Sequence, residues 1–504
     1  MKRNLLIMAM APAALFAAFN QKTAWDVQQG GSDLNGGGFD TSKAAPAVDR
    51  SQSTSPYITF DGTTCAASGT SATPTVLTIA GCTPGASTAD TGNVVHITGG
   101  SHFVAGWYQI TASTSSTWTL DRNATDGSAA SGMAGRMGGC FATPGAAFAL
   151  FPSSNGGVGD MAIFVKYSAT PYAMSTGVST TSFPGGNRYN RLVGYYAAHE
   201  DAPTGANRPT IQAAAAITLF TQNVYSGWVW ENLILDGAGV GITAFTASLD
   251  YNRIYNCKFT GWTGPVVKST QATGGWFSVL GSEFTANSGS NPVLDSATFG
   301  VVADNWFHDN TIANSGVILV AGVSVLRNVI SNNMGSNVDA IVCSYRCAII
   351  GNTIYRVTND AIKNAMVYIS EVFNNVIACA GRYGINFDSD HAGAALPWPG
   401  ALYAGTHHNA FWSNGSANKS PAAMVTTADV ALSGSGCAGN GPFTAPAASG
   451  AGDWSLNASV GASVRSAGVP GAFPGMTARG YLDMGALQHA DPTGSSQTAH
   501  PFLQ

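Results

Sequence analysis

Apolar residues along the middle of the chain fall in runs of three to five, broken by Gly and Asn, and the pattern repeats. Between Gly227 and Asn414 one short unit is written eight times: ENLILDG, NCKFTGW, GSEFTAN, DNWFHDN, RNVISNN, GNTIYRV, NNVIACA and HNAFWSN. Aligned on the small polar slot before x-[Ile/Phe], the slot residues are Asn232, Cys257, Ser282, Asn305, Asn328, Asn352, Asn375 and Asn409. Their spacings are 25, 25, 23, 23, 24, 23 and 34 residues, the last carrying an insertion at Asp388–Gly400. Runs this short are strand-length and too short for helices.

A fixed period of this size means stacked units that cannot bury their apolar face alone. Three short strands with turns fit one unit, which is one coil of a parallel β-helix. Leucine-rich repeats need a denser leucine framework, and propeller blades need longer periods. The expected fold is therefore all-β, a right-handed parallel β-helix solenoid with an N-terminal β-domain and an irregular C-terminal cap. Slot residues in such a stack lie ~4.8 Å apart, so the Asn side chains are expected to form an amide ladder.

The flanks divide the chain further. Residues 1–24 hold Lys2 and Arg3 followed by the apolar run Leu5–Phe19, interrupted by Pro12. That run is too short for a membrane span. It has the form of a secretory signal peptide but lacks a clean small-x-small cleavage site, so a retained segment that docks onto a larger particle is the rival reading. Residues 25–139 are β-rich without the repeat, as in PYITFDG, TVLTIAG and STWTLDR. The solenoid is assigned to 140–440, and the Pro/Gly-rich 441–504 to a cap over the last coil.

Composition narrows the function classes. Only 10% of the 504 residues are charged, and the net charge is −5 with no basic cluster, which leaves no electrostatic footprint for nucleic acid. A hydrophobic content of 45% argues against disorder. The eight cysteines contain no paired CxxC set, so no zinc ribbon is expected. Cys65 and Cys82 bracket a hairpin and form a possible disulfide, whereas Cys257 and Cys379, at or beside a slot, read as buried thiols. No metal or cofactor is implied.

The segments GGSDLNGGGFD (residues 30–40), VVHITGGSHFVAGWYQITASTSSTWTLDR (94–122), GYYAAHEDAPTGANRPTIQA (194–213) and GYLDMGALQHADP (480–492) resemble those of pectate-lyase-like right-handed parallel β-helix proteins. Such proteins occur among phage virion proteins and bacterial surface or secreted proteins, and the resemblance covers the chain from Trp25 onward. It implies the fold and domain order. It does not choose among pectin-degrading enzymes, tailspikes that bind or cut host glycans, and members without catalysis.

Candidate chemistry comes from repeat register. NVDAI places Asp339 two residues before Ile341, and NDAI places Asp360 two residues before Ile362, with Val240 and Tyr383 as the equivalents in other coils. Carboxylates on neighbouring coils would lie ~5 Å apart, the separation of a retaining glycosidase pair. The competing reading is that both aspartates cap turns and are solvated. Arg346, Lys363, Arg382 and Tyr383 lie in the same part of the chain and are candidate sugar contacts. Further candidates are the loop Asp388, Asp390, His391, for which a polar turn is the competing reading, and the group Asp304, His308, Asp309, in which His308 reads as a surface residue before a metal ligand. Trp262, Trp276, Trp306 and Trp412 are either sugar platforms or stack filler. The acidic cluster beside a basic residue that polysaccharide lyases of the resembled family use is not found.

The leading expectation is a phage virion structural protein: a spike, fibre or head/tail-surface component. It would attach to other virion proteins through its N-terminus, assemble as a homotrimer, and present its flank to host-surface polysaccharide. The alternative is a secreted or cell-surface bacterial polysaccharide-degrading enzyme, a glycosidase or lyase.

Overall fold

The computed structural model describes residues 22–150, 161–180, 189–222, 227–247, 252–269, 276–296, 299–364, 371–387, 406–420 and 428–434, with short stretches between 436 and 487. Met1–Phe19 and the Asp388, Asp390, His391 loop lie outside them. The chain divides into two compact units, Met1–Ala142 with two later short segments, and the remainder. No helix among the described residues is long and apolar enough to cross a membrane.

The first unit is an antiparallel sheet in the spatial order Ile58–Asp61, Ser131–Met137, Val94–Ser101, Gly106–Ser113, Thr117–Leu120, Val76–Ala80, Ala66–Gly69. Alternate residues of its strands are buried, so Leu77, Val95, Ile97, Ile110, Trp118 and Leu120 share one core. Phe60 meets the edge of Trp118 at 5.7 Å. Cys65 and Cys82 are bonded at 2.04 Å across the hairpin formed by Ala66–Gly69 and Val76–Ala80.

The second unit is a right-handed parallel β-helix. Each coil gives one strand to each of three sheets, and every strand pairs in parallel with its counterparts on the neighbouring coils. The first sheet runs from Ala162–Lys166 to Thr406–His407, the second from Tyr172–Met174 to Val430–Ala431, and the third from Val178–Thr180 to Ala417–Ser420. Inward residues stack in columns because successive coils share register. One column of the second sheet is Ile211, Leu235, Phe259, Phe284, Phe307, Ile330, Ile354, Ile377 and Phe411, all buried. Within it the rings of Phe259, Phe284 and Phe307 stack nearly parallel at 4.6 and 4.5 Å.

Aromatic packing fills the first coils and covers the outer face of the second sheet. Phe148, in the short helix Pro144–Ala149, packs against Phe220, Trp228 and Trp230. Near the C-terminus Phe443 and Trp454, from an antiparallel strand pair, cover Tyr355.

Between the first and second sheets runs the amide ladder. The Nδ2 of Asn305, Asn328, Asn352 and Asn375 each donates to the Oδ1 of the next coil's Asn at 2.9–3.0 Å, ending at Asn409. Each also donates to a backbone carbonyl of the preceding coil, such as Asn352 to Val325 at 2.9 Å. Ser282 continues the column, its backbone N–H donating to Asn305, while Cys257 donates its own N–H to Ser282. Asn232 is not a ladder member. Ile234 pairs with Lys258, so Leu233 occupies the slot and Asn232 lies opposite Asn256. The residue before each slot turns the corner in a left-handed conformation: φ is 59° at Asn232, 49° at Asn256, 59° at Asp304, 51° at Arg327 and 68° at Gly351.

A second amide column lies five residues further on. Asn287 donates to Asn310 at 2.9 Å and Asn310 to Asn333 at 2.7 Å. It too follows left-handed corner residues, here Ala286, Asp309 and Asn332. Cys379 is bonded to Cys437, not a buried thiol, and Cys343 is bonded to Cys347. Cys257 is a buried free thiol.

Removing a fully buried ladder side chain strands donors and acceptors on both neighbouring coils. Asn352→Ala is expected to cost about 3 kcal/mol or more. Asn232→Gly, outside the ladder and at a left-handed position, is expected to cost less than about 1 kcal/mol. Denaturant unfolding of both variants measures the difference, and equal costs would refute the ladder's role.

Candidate functional site

Asp339 opens the third-sheet strand Asp339–Tyr345, and Asp360 precedes Ile362–Asn364 on the next coil. Ile341 pairs with Ile362 and Ile362 with Ile385, so Asp339, Asp360 and Tyr383 form one column. On the early coils the column passes through Thr243, two residues before Phe245, and not through Val240. The loop at Val240 adds three residues that the x-Gly-Ile pattern conceals.

The two carboxylates are unlike. Asp360 is 0% exposed and saturated. Its Oδ1 accepts from Arg382 Nε at 2.8 Å and from the Tyr383 backbone N–H at 3.2 Å. Its Oδ2 accepts from Asn386 Nδ2 at 2.7 Å and from the other arm of the Arg382 guanidinium. The Arg382 side chain is 40% exposed, and its guanidinium lies over the Tyr383 ring, with 5.1 Å from Cζ to the ring centre. Asp360 therefore presents no oxygen to a substrate, and its place as half of a glycosidase pair is corrected. It caps the corner as a turn residue would, but sealed from solvent, and it holds Arg382 at the surface.

Asp339 is 6% exposed. Its Oδ1 accepts from Asn359 Nδ2 at 2.7 Å and from the Asp360 backbone N–H at 2.9 Å, while its Oδ2 accepts no hydrogen bond among the described residues. Burial pushes its carboxyl up to about 6. The charge of Asp360 adds to the rise, against the two hydrogen bonds and Lys363. Asp339 is thus a buried acid with one oxygen uncommitted, beside Lys363 and Arg382.

Lys363, Arg382 and Tyr383 belong to this cluster, and Arg346 does not. Arg346 follows the far end of the seven-residue strand that Asp339 begins, ~20 Å along the sheet.

The group around His308 is a second charged cluster, on the second sheet. His308 is buried, not a surface residue. Its Nε2 lies 3.2 Å from Glu283 Oε1, its Nδ1 lies 2.8 Å from Asp309 Oδ2, and Trp306 stacks on its ring at 3.7 Å. Lys258 reaches the same Glu283 oxygen at 2.8 Å. Burial alone would raise the Glu283 carboxyl, but hydrogen bonds from His308 and Lys258 bring it down to about 2. With its charges paired internally, this network ties neighbouring coils. Asp304 is likewise spent on a two-pronged pair with Arg327 at 2.7 and 2.8 Å. Among the described residues no group of three or more His, Cys, Asp or Glu is arranged to hold a metal ion. Trp262 and Trp412 are buried and Trp306 is half-buried, so Trp276 is the exposed member of that set.

No protein-family model and no curated protein matches the chain. Solved structures similar to it include the catalytic unit of a thermostable GH87 α-1,3-glucanase from Streptomyces thermodiastaticus strain HF3-3. That match has 11% identity and a TM-score of 0.26, covering 76% of this chain and 87% of that one. Another is the periplasmic alginate epimerase AlgG, with 10% identity and a TM-score of 0.24, covering 54% of this chain and 77% of that one. At such scores the likeness carries no functional argument, and the β-helix assignment rests on this chain's own strand register.

The raised pKa of Asp339 is also a stability statement. The folded chain holds its proton up to about 6, whereas an unfolded Asp releases it near 3.9. Asp339 therefore destabilises the fold progressively as pH rises through that window. Asp339→Asn keeps an oxygen for both hydrogen bonds and removes the charge. It is expected to gain up to about 3 kcal/mol at pH 7 and nothing at pH 3.5, read by denaturant unfolding at both pH values.

Proposed function

We propose that the protein is an extracytoplasmic carbohydrate-active enzyme that cleaves a polysaccharide at the third sheet, with Asp339 as the proton donor. The observation that carries this reading is a buried carboxyl with one uncommitted oxygen, set among Lys363, Arg382 and Tyr383. In glycoside hydrolysis the leaving oxygen takes up a proton as its bond to the anomeric carbon breaks, while water bonds to that carbon and gives up a proton to solvent; an acid with pKa near 6 supplies the first proton under mildly acidic conditions. Arg382, held by Asp360, and Lys363 would hydrogen-bond sugar oxygens, and Tyr383 would offer an aromatic face.

A structural rod gains nothing from burying a titrating carboxyl, since burial weakens the fold at neutral pH; an acid catalyst requires it. This favours the enzymatic reading over the virion component. The virion reading depends on Met1–Phe19, which lies outside the described residues. Three disulfides, Cys65–Cys82, Cys343–Cys347 and Cys379–Cys437, support an oxidising compartment. The signal-peptide form of the N-terminus agrees with export.

Reducing-end release from a panel of neutral and acidic polysaccharides tests the reading. The wild-type chain is expected to act on at least one member, with a rate that falls as pH rises above about 6. Asp339→Asn is expected to lose about a hundredfold or more while staying folded. Full activity in that variant, or no release from any polysaccharide, would overturn the assignment.

A further inference from the structure

The first sheet carries an exposed aromatic column on its outer face, away from Asp339. Trp276 and Phe299 are paired on adjacent coils and are 52% and 49% exposed. Gly300 pairs with Val323 and Ser324 with Ala348, so Gly322 and then Arg346 continue the same column. Gly322 has φ +72°, and a Cβ there would stand 2.9 Å from Phe299 Cε1, so the Phe299 ring lies directly on the glycine. The column thus presents two aromatic side chains, a bare backbone step, and the exposed guanidinium of Arg346 packed over Tyr345. Beside it on the same strands stand Ser278 and Val301, which carry no charge.

Two occupants compete for such a face, a second copy of the chain and a slender ligand, and area decides between them. Four coils at ~4.8 Å and a width of about 13 Å give roughly 250 Å². A stable subunit interface buries about 800 Å² on each partner, so the patch is several-fold too small. It is of the order of the apolar patches that mark ligand sites. An extended hexose chain fits it in kind. Its pyranose rings offer apolar faces for stacking, its repeat is close to the rise of one coil, and its hydroxyls suit the Arg346 donors at the end.

We infer that Trp276 and Phe299 form an accessory binding strip for a hexose oligosaccharide running along the solenoid axis towards Arg346. The inference rests on the proposed function only in taking carbohydrate as the ligand. The strip holds the polymer and takes no part in cleavage, and the third-sheet strand separates it from Asp339.

Affinity electrophoresis of the full chain through gels containing soluble β-glucan, α-glucan, xylan or polygalacturonate provides the test. Wild type is expected to be retarded by at least one neutral polysaccharide. Trp276→Ala and Phe299→Ala, both at exposed positions, are each expected to weaken that retardation about tenfold or more while leaving the melting temperature unchanged. Asp339→Asn is expected to be retarded like wild type, which separates this inference from the catalytic one. Three results would overturn it: no retardation in any gel, equal retardation of the aromatic variants and wild type, or retardation by polygalacturonate alone. A fourth is sedimentation showing that Trp276→Ala dissociates an oligomer, since the face would then be a subunit contact.

Discussion

A buried side-chain amide that bonds to the same amide on the next coil, and to backbone of the coil before, is the contact on which the second unit depends. Asn328, Asn352 and Asn375 each have their donors and acceptors met by neighbours a coil away. A slip of one residue would replace an amide with a left-handed corner residue such as Arg327 or Asn374 and strand several buried polar groups at once. Apolar columns alone tolerate such slips poorly, but they do not forbid them. The ladder does, because each unmade hydrogen bond in a dry interior costs more than each made one contributes.

Fixed register is what brings the two carboxyls of the third sheet onto neighbouring coils. Asp360 accepts the backbone N–H of Tyr383 one coil on, and Asp339 accepts that of Asp360, so the acidic column is built on the same coil-to-coil principle. The two steps differ in one respect. Arg382 and Asn386 complete the coordination of Asp360, while Asp339 retains an oxygen with no partner among the described residues. One position is spent on structure, and its neighbour is left with an elevated proton affinity. Two copies of the same short motif have thereby acquired separate roles through their third-sheet neighbours.

Much of this was legible along the chain. The period of the Asn-rich units carries the solenoid, and Asn305 through Asn409 stack as their spacing implies. Polar identity alone puts Asn232 in the slot, whereas the structure repeats the left-handed corner that precedes the slot, a position Asn also favours. The column of Asn287, Asn310 and Asn333 is faint in the sequence because it spans few coils and gives way to Val357 and Ala380. Its signal was present in the closing Asn of GSEFTAN, DNWFHDN and RNVISNN. Proximity in sequence groups Arg346 with Asp339, but in a solenoid it measures distance around a coil and not across the surface. The bond of Cys379 to Cys437 joins residues 58 apart, beyond what local pattern conveys.

The central claim is that Asp339 holds its proton to mildly acidic pH while sitting above a sealed Asp360. A carbon-13 NMR titration of protein labelled at the aspartate carboxyl carbons tests it without reference to any substrate. The account predicts one carboxyl resonance titrating near 6 that disappears in the Asp339→Asn protein. If every aspartate instead titrates below about 5, or if the resonance near 6 survives the substitution, Asp339 is an ordinary carboxylate and the catalytic reading of the third sheet fails.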